Sequence, residues 1–227
     1  IVDTLAEHGR LETTNLLVTS DHGFATYQQR GDLAALLKDF MTAQGQNPGD
    51  LITAGQGVYL RKDKEKLLPL LVARLQEEPW IGALFTRGGD GVGGGIKGTF
   101  SFSLVNLDHE RAPDLIISPG WSDTPNQHGW PGTTFTEGVA GHGSASAWEI
   151  HNTLIASGPA FPQGARSETP SSNVDLAPTV LHLLGLDPAP HMQGRVLREA
   201  LKDAEAPPSV ERVEHGVSAG EASYLLV

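Results

Sequence analysis

Residues 14–23 read TNLLVTSDHG and give the clearest indication of the fold. The apolar run at residues 15–19 lacks the alternation of a half-buried strand, so it predicts a strand buried on both faces of a parallel sheet. Asp21 and His22 follow this strand directly. In open α/β sheets, ligand sites lie beyond the carboxyl ends of the strands. The stretch therefore predicts a buried strand with a polar site at its end.

Asp21 and His22 carry oxygen and nitrogen donors that suit Zn²⁺ or a similar divalent ion. A second histidine, His142, lies between two glycines in the sequence GHGS at residues 141–144, where the backbone can approach an ion without a Cβ in the way. Each short motif also has an ordinary interpretation. Asp21 would then cap a turn beside a solvated His22, and His142 would lie in a flexible surface loop.

The rest of the chain alternates between helix and strand patterns. Helical spacing of apolar residues marks residues 31–42, 64–77 and 174–184, and a short helix ends near Gly9. Strand patterns mark residues 51–60, 81–86, 99–105, 114–118 and 152–156. This alternation predicts an α/β fold with a largely parallel sheet flanked by helices.

The domain organisation predicted from the sequence is simple. No linker is visible, so residues 1–227 are expected to form one domain. Residues 201–227 are expected to be a weakly ordered tail, although residues 224–227 could pack back as a strand. The helix at residues 174–184 is predicted to have Asn173 or Asp175 as its cap, and Asp175 could instead be an acidic residue of its first turn.

Composition excludes several classes of function. The chain has 16 Lys and Arg against 27 Asp and Glu, a net charge of -11, which disfavours a nucleic-acid polymer as the main partner. It has no cysteine, so any metal must be held by Asp, Glu and His, and both extracytoplasmic and cytoplasmic locations stay open. No apolar run approaches the length of a membrane span.

Three sequence motifs can also be set aside: a dinucleotide-binding loop, a serine nucleophile elbow and a P-loop. Glycines 93, 95 and 98 have the spacing of a dinucleotide-binding loop, but a strand pattern follows them where that motif requires a helix. This stretch is better explained as a hairpin or surface loop. The chain contains no G-x-S-x-G elbow and no P-loop lysine, which argues against serine hydrolases and P-loop enzymes.

Three segments together resemble a known family. They are residues 14–23, residues 141–144 leading to IHNTLIASGPAF at residues 150–161, and NVDLAPTVLHLLG at residues 173–185. In this order they resemble the later part of the alkaline phosphatase superfamily, in its type I phosphodiesterase/nucleotide pyrophosphatase branch. The resemblance runs from residue 1 to about residue 195 and includes residues 111–114 and 121–123.

The resemblance implies an alkaline-phosphatase-like α/β fold and a hydrolase of small, anionic phosphate esters. In that family two zinc ions lie about 4 Å apart and clamp a phosphoryl group. By resemblance, Asp21 and His22 would bind the zinc ion that activates the nucleophile, and His142 would bind the second zinc ion. Other divalent metals stay open as alternatives.

The family's nucleophilic Thr or Ser precedes the SDHG segment, and residues 1–20 contain no matching motif. The chain is therefore expected to lack both the N-terminal part of the domain and the catalytic nucleophile. It would then leave a sheet edge exposed and pair with the missing part or with another chain. Two alternatives stay open. One is a phosphomonoesterase, phosphonate hydrolase or sulfatase of the same superfamily, and the other is a non-catalytic fragment or binding half-domain.

Overall fold

A computed structural model describes residues 1–203 and 206–227 as a mixture of helices and several small sheets. The helices are α1 (Val2–Glu7), α2 (Leu33–Ala43), α3 (Leu68–Gln76), α4 (Ala147–Ile150) and α5 (Leu176–Leu183). The strands are β1 (Leu16–Thr19), β2 (Ala25–Tyr27), β3 (Leu51–Ala54), β4 (Gly57–Leu60), β5 (Ile81–Thr86), β6 (Phe100–Ser101), β7 (Leu115–Pro119), β8 (Trp121–Ser122), β9 (Thr133–Thr134), β10 (Ala140–Gly141), β11 (Leu154–Ser157), β12 (His215–Ala219) and β13 (Ala222–Leu226). The α/β class predicted from the sequence is confirmed. Among the described helices, none combines the length and apolar character needed to cross a membrane.

The chain divides into two compact units. The first consists of Ile1–Asp21 and Asn152–Arg212, and the second of His22–His151 and Val213–Val227. The prediction that residues 1–227 form one partial catalytic domain stays a prediction. Residues 204 and 205 of the expected tail lie outside the described residues, and β12 and β13 form an antiparallel hairpin near its end.

The second unit is built on a five-stranded sheet in the order β3-β4-β7-β5-β6. Buried side chains of α2 and α3 form its main core with side chains of β4, β5 and β7. Successive residues of a strand point to opposite faces, and Leu84 therefore joins this core while Phe85 joins a second one. The second core contains Phe100 and Phe102, against which Tyr224 of the hairpin packs.

Local sequence explains where the two long helices begin. The carboxylate of Asp32 accepts a hydrogen bond from the Ala35 N–H at 2.9 Å and caps α2. Pro69 lies in the first turn of α3, where its missing N–H costs no helical hydrogen bond. A 3-10 turn, Lys62–Leu67, replaces the first part of the helix expected at residues 64–77.

The first unit pairs β1 with β11 in a two-stranded antiparallel sheet. Asp175 precedes α5, as predicted, and both of its carboxylate oxygens are used. One accepts from the Ser172 N–H and the other from the Arg195 N–H, each at 2.8 Å. This buried carboxylate therefore fixes the start of α5 and also connects it to a later segment.

Three expectations about the strands are wrong within the described residues. The sheets are not largely parallel, since only the pairs β2–β9 and β5–β6 are parallel there. Short connections such as the turn between β3 and β4 place neighbouring strands antiparallel. The strand predicted at residues 15–19 is not buried on both faces, because Val18 is 61% exposed and its partner Ile155 is 57% exposed.

The third correction concerns the strand expected at residues 99–105. Only Phe100–Ser101 is a strand, and Phe102–Val105 forms a 3-10 turn. The Ser101 hydroxyl accepts from the Ser103 N–H at 3.2 Å, a local bond that competes with strand pairing. The glycine-rich stretch before it is a loop between β5 and β6 and opens no helix, as predicted.

Candidate functional site

His22 and His142, which lie far apart in the sequence, have stacked imidazole rings. Their ring centroids are 3.4 Å apart and the ring planes are inclined by 18°. His22 is partly buried and His142 is exposed. The ring of Phe24 lies 6.1 Å from that of His142 and is itself 62% exposed. Both histidines singled out in the sequence therefore meet at one place in the second unit.

The hydrogen bond of His22 defines which ring nitrogen carries a proton. Its Nδ1 lies 2.7 Å from the Gly23 carbonyl oxygen. A carbonyl only accepts, so Nδ1 must carry the proton and donate. The lone pair is then on Nε2. Histidines that bind metals commonly donate their other N–H to a carboxylate or a backbone carbonyl, because this fixes the tautomer and the ring orientation.

Strand pairing brings the two histidine segments together. β2 begins shortly after His22, β10 ends just before His142, and the two strands pair antiparallel with Ala25 opposite Gly141. Tyr27 of β2 adds a further contact, because its hydroxyl donates to the His142 carbonyl oxygen at 3.2 Å. Burial and the charge of Glu149 raise the pKa of Tyr27, which keeps its hydroxyl protonated as the donor.

The glycine before His142 is required by this packing. A Cβ on Gly141 would overlap the phenol ring of Tyr27. The group that approaches Gly141 closely in the structure is therefore a tyrosine ring, and the approach to an ion expected from the sequence stays a prediction.

Helix α4 contacts both histidine segments. The backbone carbonyl of Glu149 accepts from the Gly23 N–H at 2.7 Å. The side chain of Glu149, only 2% exposed, accepts from the Ser144 N–H at 2.6 Å and from the Thr134 hydroxyl. A single residue thus contacts the backbone immediately after His22 and the backbone two residues after His142.

Asp21, the third predicted ligand, closes the first segment of the first unit and is exposed. Its backbone carbonyl accepts from the side-chain amide of Asn173 at 2.8 Å. Asn152 donates to the carbonyl of Ser20 and to the side-chain oxygen of Asn173, the latter at 3.1 Å. Two asparagines therefore fix the backbone that presents the Asp21 side chain.

The donor set agrees in chemistry with a zinc site. Imidazole nitrogens and a carboxylate are ordinary zinc ligands, and the Nδ1–H of His22 donates to a backbone carbonyl, as is common in metal-binding histidines. The ligand number is smaller than a complete site requires. Within residues 1–203 and 206–227, no group of three or more His, Asp or Glu residues is arranged to hold a metal ion.

Four residues that shape this region were missed by sequence reasoning: Tyr27, Glu149, Asn152 and Asn173. Tyr27, Asn152 and Asn173 donate to a backbone carbonyl of a distant segment, and the Glu149 carbonyl accepts from the Gly23 N–H. Such tertiary contacts leave no local pattern. Glu149 lies before the strand predicted at residues 152–156, so no sequence signal marked its carboxylate as buried.

No protein-family model matches the sequence, and the comparison with curated proteins finds no match. Among solved structures, human ectonucleotide pyrophosphatase/phosphodiesterase 5 matches with a TM-score of 0.59 at 18% sequence identity. Its murine counterpart matches with a TM-score of 0.58 at 17% identity. The chain shares their fold.

Each of these matches covers 88% of this chain and 49% of the solved chain. The chain therefore spans about half the length of the two structures. The resemblance predicted from three sequence segments is confirmed at the level of the fold, and the activity and substrates of the whole protein are matters for proposal.

Proposed function

We propose that this chain is part of a divalent-metal-dependent phosphodiesterase of the nucleotide pyrophosphatase type, to which it contributes Asp21, His22 and His142. One observation carries the proposal above all. Two histidines from distant segments stack with their rings 3.4 Å apart, in a chain that has the fold of a nucleotide pyrophosphatase/phosphodiesterase structure. The nucleophile, a Thr or Ser, belongs to a part of the protein other than this chain.

The two stacked rings offer a ring nitrogen each, so each histidine could serve a different ion. A ring nitrogen's lone pair lies in the plane of its ring, and each ion would therefore lie beyond the edge of its own ring. Two-metal hydrolytic sites hold their ions about 3.5–4 Å apart. His22 and His142 would each serve one ion, with Asp21 beside His22 on the first.

Each residue has a defined task in this proposal. His22 presents Nε2 because its Nδ1 proton is held by the Gly23 carbonyl. His142 presents its ring from a loop fixed by Tyr27. Asp21 supplies a carboxylate from a backbone fixed by Asn173. Divalent ions bound there would supply the positive charge that stabilises a phosphoryl group under attack. An acidic chain otherwise lacks this positive charge.

The test uses the full-length protein with zinc added in stoichiometric amounts. Hydrolysis of bis(p-nitrophenyl) phosphate is measured for the wild type, for His142→Ala and for His8→Ala as a matched control at an exposed histidine. We expect His142→Ala to lower kcat/KM by orders of magnitude, because a ligand of the two-ion clamp is lost, and His8→Ala to change it little. Near-normal turnover by His142→Ala would refute the proposal.

The substrate panel separates the alternatives. p-Nitrophenyl phosphate, p-nitrophenyl sulfate and a phosphonate monoester test the phosphomonoesterase, sulfatase and phosphonate hydrolase alternatives. Higher kcat/KM for any of these than for the diester would assign that class instead. The short ligand set within the described residues supports the remaining alternative, a non-catalytic binding half-domain. Full-length protein that binds no zinc and hydrolyses none of the four esters would establish it.

A further inference from the structure

The strongest unexplained feature near the histidines is the buried carboxylate of Glu149. It is 2% exposed, and both its oxygens are used, one by the Ser144 N–H and the other by the Thr134 hydroxyl. Thr134 belongs to β9, which pairs with β2. The carboxylate therefore lies between the strand that follows His22 and the loop that carries His142.

The backbone of the same residue reaches the His22 segment. Its carbonyl accepts from the Gly23 N–H at 2.7 Å, and Gly23 has no room for a Cβ because the carbonyl oxygens of Trp148 and His151 lie too close. The His22 segment is thus held directly against α4. Ser146 caps this short helix by accepting from the Trp148 N–H at 3.2 Å, so the position of Glu149 is itself defined.

We propose that Glu149 is the positioning residue that sets the stacking of His22 on His142. Its backbone holds the segment after His22, and its carboxylate holds the loop after His142, so one residue fixes both rings relative to a common point. Glu149 acts through the two histidines and contacts neither substrate nor ion. The role of Glu149 in setting the ring stacking does not depend on the proposed function. Only its expected effect on metal affinity rests on that function.

Two substitutions separate geometry from charge. Glu149→Gln removes the charge and keeps the length: its amide oxygen accepts from the Ser144 N–H, and its amide NH₂ donates to the Thr134 hydroxyl oxygen, which also accepts. Glu149→Asp keeps the charge but is one methylene shorter, so its carboxylate falls short of Ser144. Glu199→Asp is the matched control, because Glu199 is another nearly buried, hydrogen-bonded glutamate.

The first measurement needs no metal. In metal-free full-length protein carrying isotope-labelled histidine, ring-to-ring nuclear Overhauser effects report the stacking of His22 on His142. We expect these effects in the wild type, Glu149→Gln and Glu199→Asp, and their loss in Glu149→Asp while the protein stays folded. Persistence of the effects in Glu149→Asp would refute the positioning role. Their loss in Glu149→Gln would refute the hydrogen-bond geometry on which it rests.

The second measurement is zinc affinity by competition with a chromophoric chelator. We expect Glu149→Asp to weaken zinc binding about tenfold or more, the usual effect of removing an outer partner of a ligand, and Glu149→Gln to leave it within about twofold. The reverse order would mean that charge, not position, is what Glu149 provides. If the wild type binds no zinc while the ring contacts behave as expected, the proposed function fails and the positioning role stands.

Discussion

Gly23 offers a sharp test of how the His22 segment is held. A Cβ at this position would overlap the backbone carbonyl oxygens of Trp148 and His151. Neither oxygen belongs to a side chain that could rotate away, so Gly23→Ala must push the segment off α4. That movement also breaks the 2.7 Å hydrogen bond from the Gly23 N–H to the Glu149 carbonyl.

The expected cost follows from these two losses. Overpacking against fixed atoms typically costs about 1–3 kcal/mol. Loss of a buried backbone hydrogen bond adds about 0.5–1.5 kcal/mol. Alanine stiffens the unfolded chain, which returns up to about 1 kcal/mol. With the middle of each range, we expect Gly23→Ala to lower the free energy of unfolding by about 2–3 kcal/mol, equivalent to a fall in Tm of about 4–12 °C for a chain of this size.

The assay is thermal unfolding followed by circular dichroism, with Gly216→Ala as the control. Gly216 lies in β12, is exposed, and has only ordinary contact distance at 3.9 Å between a built Cβ and the nearest atom. Because alanine suits a strand interior better than glycine, Gly216→Ala should leave Tm unchanged or raise it. Equal effects of the two substitutions would refute the close approach of Gly23 to α4.

Two further predictions concern the first unit. Hydrogen bonding to Arg195 lowers the pKa of Glu199, so the pair stabilises the fold above the ordinary glutamate pKa and loses this effect as the pH falls through the lowered value. In urea unfolding, Glu199→Gln should be less stable than the wild type by about 1–2 kcal/mol near neutral pH, and this difference should shrink in acid. A difference that stays constant with pH would contradict the pairing of Glu199 with Arg195. Val18→Thr should cost less than about 0.5 kcal/mol in the same assay, because the side chain is 61% exposed. A cost of several times that value would show that the face formed by Val18 and Ile155 is covered.

The sequence located most elements but could not give the direction of their pairing. The strand predicted at residues 81–86 is β5, Ile81–Thr86, because an apolar run between turn signals is a local feature. Strand direction depends on the segments that connect the strands and on the elements that pack against them. β7 pairs antiparallel with β5 and with β4, a result that apolar periodicity cannot distinguish from parallel pairing.

The candidate site shows the same division between local and tertiary information. His22 and His142 could be chosen from the sequence because each stands in a short motif with glycine beside it. Tyr27 and Glu149 could not, because each makes a hydrogen bond to the backbone of a distant segment, Tyr27 through its hydroxyl and Glu149 through its own carbonyl. Residue type alone gives no sign of such a partner. The assignment of Asp21, His22 and His142 as metal ligands therefore stays a prediction that the zinc measurement decides.

The spacing between each histidine and its strand constrains the site as strongly as the histidines themselves. In β2 and β10, Ala25 lies opposite Gly141, and continuing this antiparallel register places Phe24 opposite His142, in agreement with their ring contact. Inserting one residue between His22 and β2 would leave the β2–β10 pairing in place and would move His22 one position away from the place where it stacks on His142. The stacked pair therefore depends on the number of residues between each histidine and its strand, and a search for related sites should require the adjacent strand as well as the motif.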